Sequence, residues 1–248
     1  MADNPSYGNF AFVYDTLTDD VEYSKRCDYI EKIFEKHLDF KPELVADLGC
    51  GTGTVCSILS QKGYDLIGID SSDMMLSEAI KKPGSEKILY LNQDMTSFEL
   101  YGTVDVFLSM LDSLNYITSP DELSCVFALV KNYLNPGGIF VFDVNTPYKY
   151  EQVLSDNTFT HDDKGIFYVW ENSFDGEYCD FLINFFVEKD GAYTRFTEEH
   201  TQRCHTFKEL LGIIENSGLV LEAVYDDMSF NDPKGDSQRI FIVVKKQN

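Results

Sequence analysis

Five short apolar runs mark the first 146 residues, at 44–48, 66–69, 88–91, 104–110 and 139–145. Each has the length of a buried strand. Between several of them the apolar residues recur at helical spacing instead. Val55, Ile58 and Leu59 predict a helix over 55–62 that stops at Gly63. A second helix, 71–82, opens with Ser71 or Ser72 as cap and Asp73 near its positive end, turns Met74, Met75 and Leu76 inward, and ends at Pro83-Gly84. Leu123, Val126, Phe127, Val130 and Leu134 predict a third over 120–134, and Asn135-Pro-Gly-Gly then turns the chain into the fifth strand.

Two helices precede the first strand. Phe10, Tyr14 and Leu17 are helically spaced, Asp19-Asp20 reads as a break, and 23–38 carries Tyr29, Ile30, Ile33, Phe34 and Leu38 on one side. After the fifth strand the rhythm changes. Residues 147–156 read as a short helix, and 157–204 alternate with period two. Three antiparallel strands are predicted there, at 167–174, 178–188 and 193–204, with turns at Asp175-Gly176 and Lys189-Asp-Gly191. His200 and Arg203 fall on opposite faces of the last one. A final helix over 205–218 leads into two closing strands, 219–225 and 238–245.

The stretch with chemistry is Leu-Val-Ala-Asp-Leu-Gly-Cys-Gly-Thr-Gly, residues 44–53. Strand, glycine loop and helix in succession let the backbone approach a ligand at a helix N-terminus. One unit later Asp70 ends the 66–69 run, where a carboxylate can accept both hydroxyls of a ribose. A dinucleotide fingerprint would need a further glycine where Thr54 stands, and Asp47 would repel a pyrophosphate. Asp47 suits a cationic group. Cys50 inside the loop reads as a small side chain between glycines, with a nucleophile as the sharper alternative.

The Asp47-x-Gly49-x-Gly51-x-Gly53 pattern resembles motif I of class I S-adenosylmethionine (SAM)-dependent methyltransferases. The resemblance extends over nearly the whole chain and includes the Pro-Gly-Gly turn and the C-terminal hairpin. It implies SAM as cofactor, with Asp47 and the loop holding the amino acid end and Asp70, followed by Ser71, the ribose. Met75 would lie along the adenine, Asp94 would accept from the adenine amino group, and the Met95 N–H would donate to a ring nitrogen. Leu111 would follow at the tip of the fourth strand. Tyr14 and Tyr23 are candidates for the aromatic that closes over the methyl donor. Packing in the core would account equally well for both tyrosines, and for Met75 it is the plainer reading of the residue alone.

The same resemblance implies a Rossmann-like sheet of order 3-2-1-4-5-7-6 with its last strand antiparallel. Residues 1–146 and 205–248 would form the SAM-binding core, with a helical cover at 1–40. Residues 147–204 would roof the acceptor pocket. Asp112, Ser113, Asn115 and Tyr116 sit at the carboxyl edge of the sheet, where open α/β sheets bind ligands, and Asp143 and Asn145 end the neighbouring strand. The Asp-Ser-Leu-Asn-Tyr run is similar to that of bacterial methyltransferases whose substrate is generally unassigned.

Composition bears on the class of partner but says little about the acceptor. With 42 acidic and 20 basic residues the net charge is −22, and basic residues gather no further than pairs such as Lys81-Lys82 and Lys245-Lys246. Nucleic acid is therefore disfavoured as a partner, and cationic ligands are mildly favoured. Six cysteines without a Cys-x-x-Cys pair argue against a zinc cluster or disulfide framework, and no Asp-Asp-Asn cluster suggests magnesium. The first residues carry no basic, apolar leader, and no apolar run reaches a membrane span. A cytoplasmic enzyme, monomer or homodimer, is expected.

Methyl transfer from a sulfonium requires alignment, exclusion of water and an unprotonated acceptor more than a protein nucleophile. Tyr14, Asn115, Tyr116, Asp143 and His200 are the candidate catalytic residues, by lone-pair alignment or proton removal. The expected reaction is methylation of N or O on a small molecule. A protein or tRNA acceptor, a SAM-binding regulator without turnover, and an NAD enzyme are the alternatives.

Overall fold

The computed structural model describes residues 11, 13–15, 18 and 21–247. The expectations on Phe10, Leu17 and Asp19-Asp20 lie outside the described residues. Helix α1 (Tyr23–His37) buries Cys27, Ile30, Ile33 and Phe34, the stripe its spacing dictates, and Leu38 closes it in extended conformation. Strand β1 (Leu44–Leu48), helix α2 (Thr54–Gln61), strand β2 (Asp65–Asp70), helix α3 (Asp73–Ala79) and strand β3 (Ile88–Asn92) follow as two parallel crossovers. Strand β4 (Val104–Ser109), helix α4 (Pro120–Tyr133) and strand β5 (Leu134–Asn145) add the other half of the sheet.

Strands β6 (Thr158–Asp163), β7 (Ile166–Phe174), β8 (Tyr178–Lys189) and β9 (Ala192–Arg203) form a separate antiparallel sheet. Helix α5 (Phe207–Ser217), strand β10 (Val220–Asp226) and strand β11 (Arg239–Lys245) complete the core. The main sheet runs β3-β2-β1-β4-β5-β11-β10, with β11 antiparallel to both neighbours. Counting core strands alone, this is the order 3-2-1-4-5-7-6 that the resemblance implies.

The inner strands are apolar on both faces because helices cover both. Val45, Val106, Leu108, Val141 and Val243 pack under α1 and α2. Ala46, Phe107, Phe140, Phe142 and Ile242 pack under α4 and α5. Ser72 caps α3 as expected, and α4 and α5 are capped as well. Ser72 accepts from the Met75 N–H, Ser119 from the Glu122 N–H, and Thr206 forms a reciprocal capping box with Glu209.

The structure corrects four local expectations. The inserted sheet has four strands: β6 is an exposed edge strand with a mostly polar sequence, so it carries no apolar alternation. Strand β5 begins at Leu134, earlier than expected; within it Gly137 takes the left-handed φ of 78° expected of the Pro-Gly-Gly turn, and the register shifts opposite Val104 and Val106. Helix α3 stops at Ala79, and Met74 faces outward. The short helix after β5 is a π-helix, Lys149–Leu154. All six cysteines are free. No helix among the described residues is long and apolar enough to cross a membrane, and no group of three or more His, Cys, Asp or Glu there could hold a metal ion.

Candidate functional site

The glycine loop sits where β1 ends. Gly49, Gly51 and Gly53 all have left-handed φ values, 72°, 54° and 70°. A side chain at Gly53 would strike the Tyr90 hydroxyl and Ala79, whereas a Cβ at Gly51 meets open space. The Gly49 and Cys50 N–H groups both donate to the Ile69 carbonyl, 2.8 and 3.1 Å, which ties the loop to the end of β2. Asp70 stands at that end. Its Oδ2 accepts from the Gly51 N–H and its Oδ1 from the Ser72 N–H, both at 2.8 Å.

Asp47 lies under the loop and is only 2 % exposed. Burial pushes its carboxyl up to about 7, against a donor bond from the Cys56 thiol that lowers it. A carboxyl held this way gains from a cation placed beside it. Met95 reaches the same loop: its Cε would lie 2.9 Å from a Cβ at Gly49, as would Ser113. Asp94 is exposed, and its Oδ1 accepts from the Thr96 N–H and hydroxyl, both 2.7 Å. Ser71 is exposed and Met75 half-buried, both at the start of α3.

The rim after β4 is built on two strained residues. Leu111 and Asp112 have φ of 56° and 54°, unusual for side-chain-bearing residues. Asp143, fully buried at the end of β5, accepts from both of their N–H groups, 2.9 Å from Leu111 and 2.7 Å from Asp112. Arg239 pairs with Asp143 and Asp112 together, and Arg26 lies 3.4 Å from Asp143. Asn115 is also fully buried: its amide donates to the Arg203 carbonyl at 2.9 Å, and its Oδ1 accepts from the Asn145 N–H at 3.0 Å. Asp143 and Asn115 thus direct their side chains at backbone and guanidinium groups that hold the rim.

The inserted sheet meets this rim through β9. Glu198, His200 and Gln202 share one face of the strand by its period of two. The Gln202 amide donates to Asp112 Oδ2 at 2.6 Å, and its Oε1 accepts from the Tyr150 hydroxyl at 2.8 Å. The His200 ring meets the Tyr116 ring edge-on, centroids 5.9 Å apart. Tyr116 is 46 % exposed and borders the open side. Burial lowers the His200 imidazole, which stays neutral near neutral pH. Arg203 faces the other way and pairs with Glu177 and Glu209.

Tyr14 approaches from the N-terminal segment. Burial, and then the neighbouring Tyr23, Tyr116 and Asp112, hold its phenol well above the ordinary value. Burial also raises Tyr23. Asp15 beside it is tied to the glycine loop: Thr52 donates to Asp15 at 2.5 Å, and Lys82 bridges Asp15 to Thr54 Oγ1 at 2.8 Å. A cavity of about 480 Å³ opens here, lined by Asp15, Tyr23, Thr54 and Lys82 among others.

The structure therefore brings Tyr14, Tyr116, His200, Asp112 and the glycine loop to one end of the sheet. Sequence reasoning missed Arg26, Arg239, Gln202 and Glu198. The period of two through His200 could have found the last two.

A mostly parallel sheet of this order, a buried acidic residue under an open glycine turn and a second acid one strand over fit a nucleoside with a cationic amino acid tail. The chain belongs to the class I SAM-dependent methyltransferases, and SAM is its methyl donor. Residues 45–138 match the family described as methyltransferase domain. Over 97 % of both chains it is 35 % identical to YqeM of Bacillus subtilis (strain 168), which carries a provisional methyltransferase name. The crystal structure of a SAM-dependent methyltransferase from Clostridium acetobutylicum superposes with a TM-score of 0.88 at 36 % identity, covering 98 % of this chain and 99 % of that one. A dTDP-3-amino-3,4,6-trideoxy-α-D-glucopyranose N,N-dimethyltransferase from Streptomyces venezuelae is 30 % identical over 44 % of each chain.

Proposed function

We propose that the enzyme methylates a nitrogen or oxygen of a small molecule held between the rim after β4 and the inner face of the inserted sheet. The supporting observation is the meeting of β9 with the rim. Gln202 bonds to Asp112 at 2.6 Å and His200 packs on Tyr116, which brings the inserted sheet against the rim where an acceptor would meet the methyl donor. The sugar N,N-dimethyltransferase named above acts on a small molecule, which supports the same reading.

In this reading residues 1–146 and 205–248 are the SAM-binding core, 1–40 its cover, and 147–204 the roof. Asp47, Gly49, Gly51 and Gly53 hold the amino acid end of SAM. Asp70 and Ser71 hold the ribose, while Met75, Asp94 and Met95 border the adenine and Leu111 the sulfonium side. SAM supplies a methyl group already activated for in-line displacement. Tyr14 and Tyr23 close over it and exclude water. Tyr116 and His200 align the acceptor lone pair, and the neutral His200 imidazole can take the proton the acceptor releases. Asp143 and Asn115 act by positioning, since their side chains bind the rim from within.

Incubation of the full chain with labelled SAM and a metabolite extract, followed by mass spectrometry, tests this. A methylated metabolite is expected. Label entering only protein or tRNA would overturn the small-molecule acceptor.

A further inference from the structure

We infer that Glu198 anchors a cationic amine of the methyl acceptor. The inference deepens the small-molecule reading above and rests on it.

Glu198 is 2 % exposed, and its Oε1 has no hydrogen-bond partner among the described residues. Its Oε2 lies 4.0 Å from His200 Nε2. Among the described residues the rest of its surroundings on that face is apolar or aromatic, and Val13 of the N-terminal segment packs on Phe185, Ile183 and Phe196. Phe196 precedes it on β9, and Ile183 faces it across β8 between Phe181 and Phe185. Trp170 lies beyond Ile183 on β7, also with its indole N–H unpartnered among the described residues. Burial raises the Glu198 carboxyl to about 7. A buried carboxyl with an open lone pair is destabilising unless something completes it.

Among the described residues, the cations nearest this part of the fold are committed elsewhere. Arg26 and Arg239 serve Asp112, Asp143 and Asp227, Lys149 donates to Asn145 Oδ1, and Arg203 lies on the opposite face. His200 brings no compensating charge near neutral pH. A protonated amine would supply both the missing charge and the missing donor, and the aromatic walls would stabilise it further. Four residues of extended strand separate Glu198 from Gln202 at the rim, roughly 13 Å. An ammonium at Glu198 would place the rest of a small acceptor along His200 toward Tyr116.

The test uses the full chain with tritiated SAM and a Bacillus subtilis metabolite extract split on cation-exchange resin. Label is expected in the retained, cationic fraction. Glu198→Gln should cut that labelling by about tenfold or more, the loss of a charged hydrogen bond, while calorimetry shows unchanged SAM affinity. Label confined to the anionic or unretained fractions, or full labelling by Glu198→Gln, overturns the inference and leaves the small-molecule reading standing. No label in any fraction, with SAM bound normally, removes both. A second measurement needs no acceptor. Glu198→Leu should raise the melting temperature of the ligand-free protein by about 2–4 °C, because it removes an unsatisfied buried carboxyl. An unchanged or lower melting temperature would mean the carboxyl is already satisfied within the fold, and the inference fails.

Discussion

Arg239 meets Asp143 across the antiparallel β5–β11 pairing, and the side chain of Asp143 has no exposed surface. The same guanidinium holds Asp112, whose backbone N–H is already bound to Asp143. One cation therefore locks both the strand end and the strained turn beside it. Arg239→Met should leave two largely buried carboxylates short of their partner and cost about 3–5 kcal/mol. Urea denaturation measures it. A loss below about 1 kcal/mol would show that Arg26 alone can neutralise the pair.

Asp70 accepts from Gly51 and Ser72 and retains lone pairs for the ribose. Asp70→Ala should weaken SAM binding by one or two charged hydrogen bonds, about 1.5–3 kcal/mol each. Calorimetry showing unchanged affinity would remove the ribose role.

Asp47 carries a pH signature. Its folded carboxyl sits at about 7, above its ordinary 3.8. Folding therefore favours the protonated form. The stability this contributes is fully present below pH ~4 and is lost as pH rises to about 7, with no further change above. Across that window the wild type should lose on the order of 4 kcal/mol relative to Asp47→Asn. Thermal melts at several pH values compare the two. If SAM places its ammonium beside Asp47, binding should also release a proton near pH 6, visible as buffer-dependent enthalpy in calorimetry.

Lys82 fastens the N-terminal segment to the glycine loop through Asp15, Thr52 and Thr54. Asp15 is half exposed, so Lys82→Met should cost less than about 1 kcal/mol in global stability. It should nevertheless speed chymotrypsin cleavage after Tyr14 several-fold, because the local tether is gone. Equal cleavage rates would place the hold on this segment elsewhere.

Much of this fold is legible from residue spacing. Val45 against Ala46, and Val141 against Phe140 and Phe142, announce strands buried on both sides, and each lies where expected. The spacing of Asp47, the three glycines and Asp70 already assigns them to one loop and the two strand tips beside it. Strand β6 could not be read, because Thr158–Asp163 pairs through its backbone at an exposed edge and asks little of its side chains. His161 stacks on Tyr168 there, a cross-strand contact invisible in the linear chain. The Arg239 network was hidden for another reason. Its partners lie far away in sequence, and only the register that sets Arg239 opposite Asn145 brings them together. A polar residue at a strand tip, such as Asp143, looks alike from sequence whether it faces a ligand or braces a turn.

Arg203 grips Glu177 at one end of the inserted sheet and Glu209 on α5, and β9 passes straight from one to the other. In the proposed reading, Arg203 ties the roof to the SAM-binding half at its base. A lineage adopting a new acceptor would have to repaint the ceiling, exchanging side chains such as Glu198 on the underside of β8 and β9. Tilting the sheet would tear out the bolt. The donor half beneath could meanwhile stay the same.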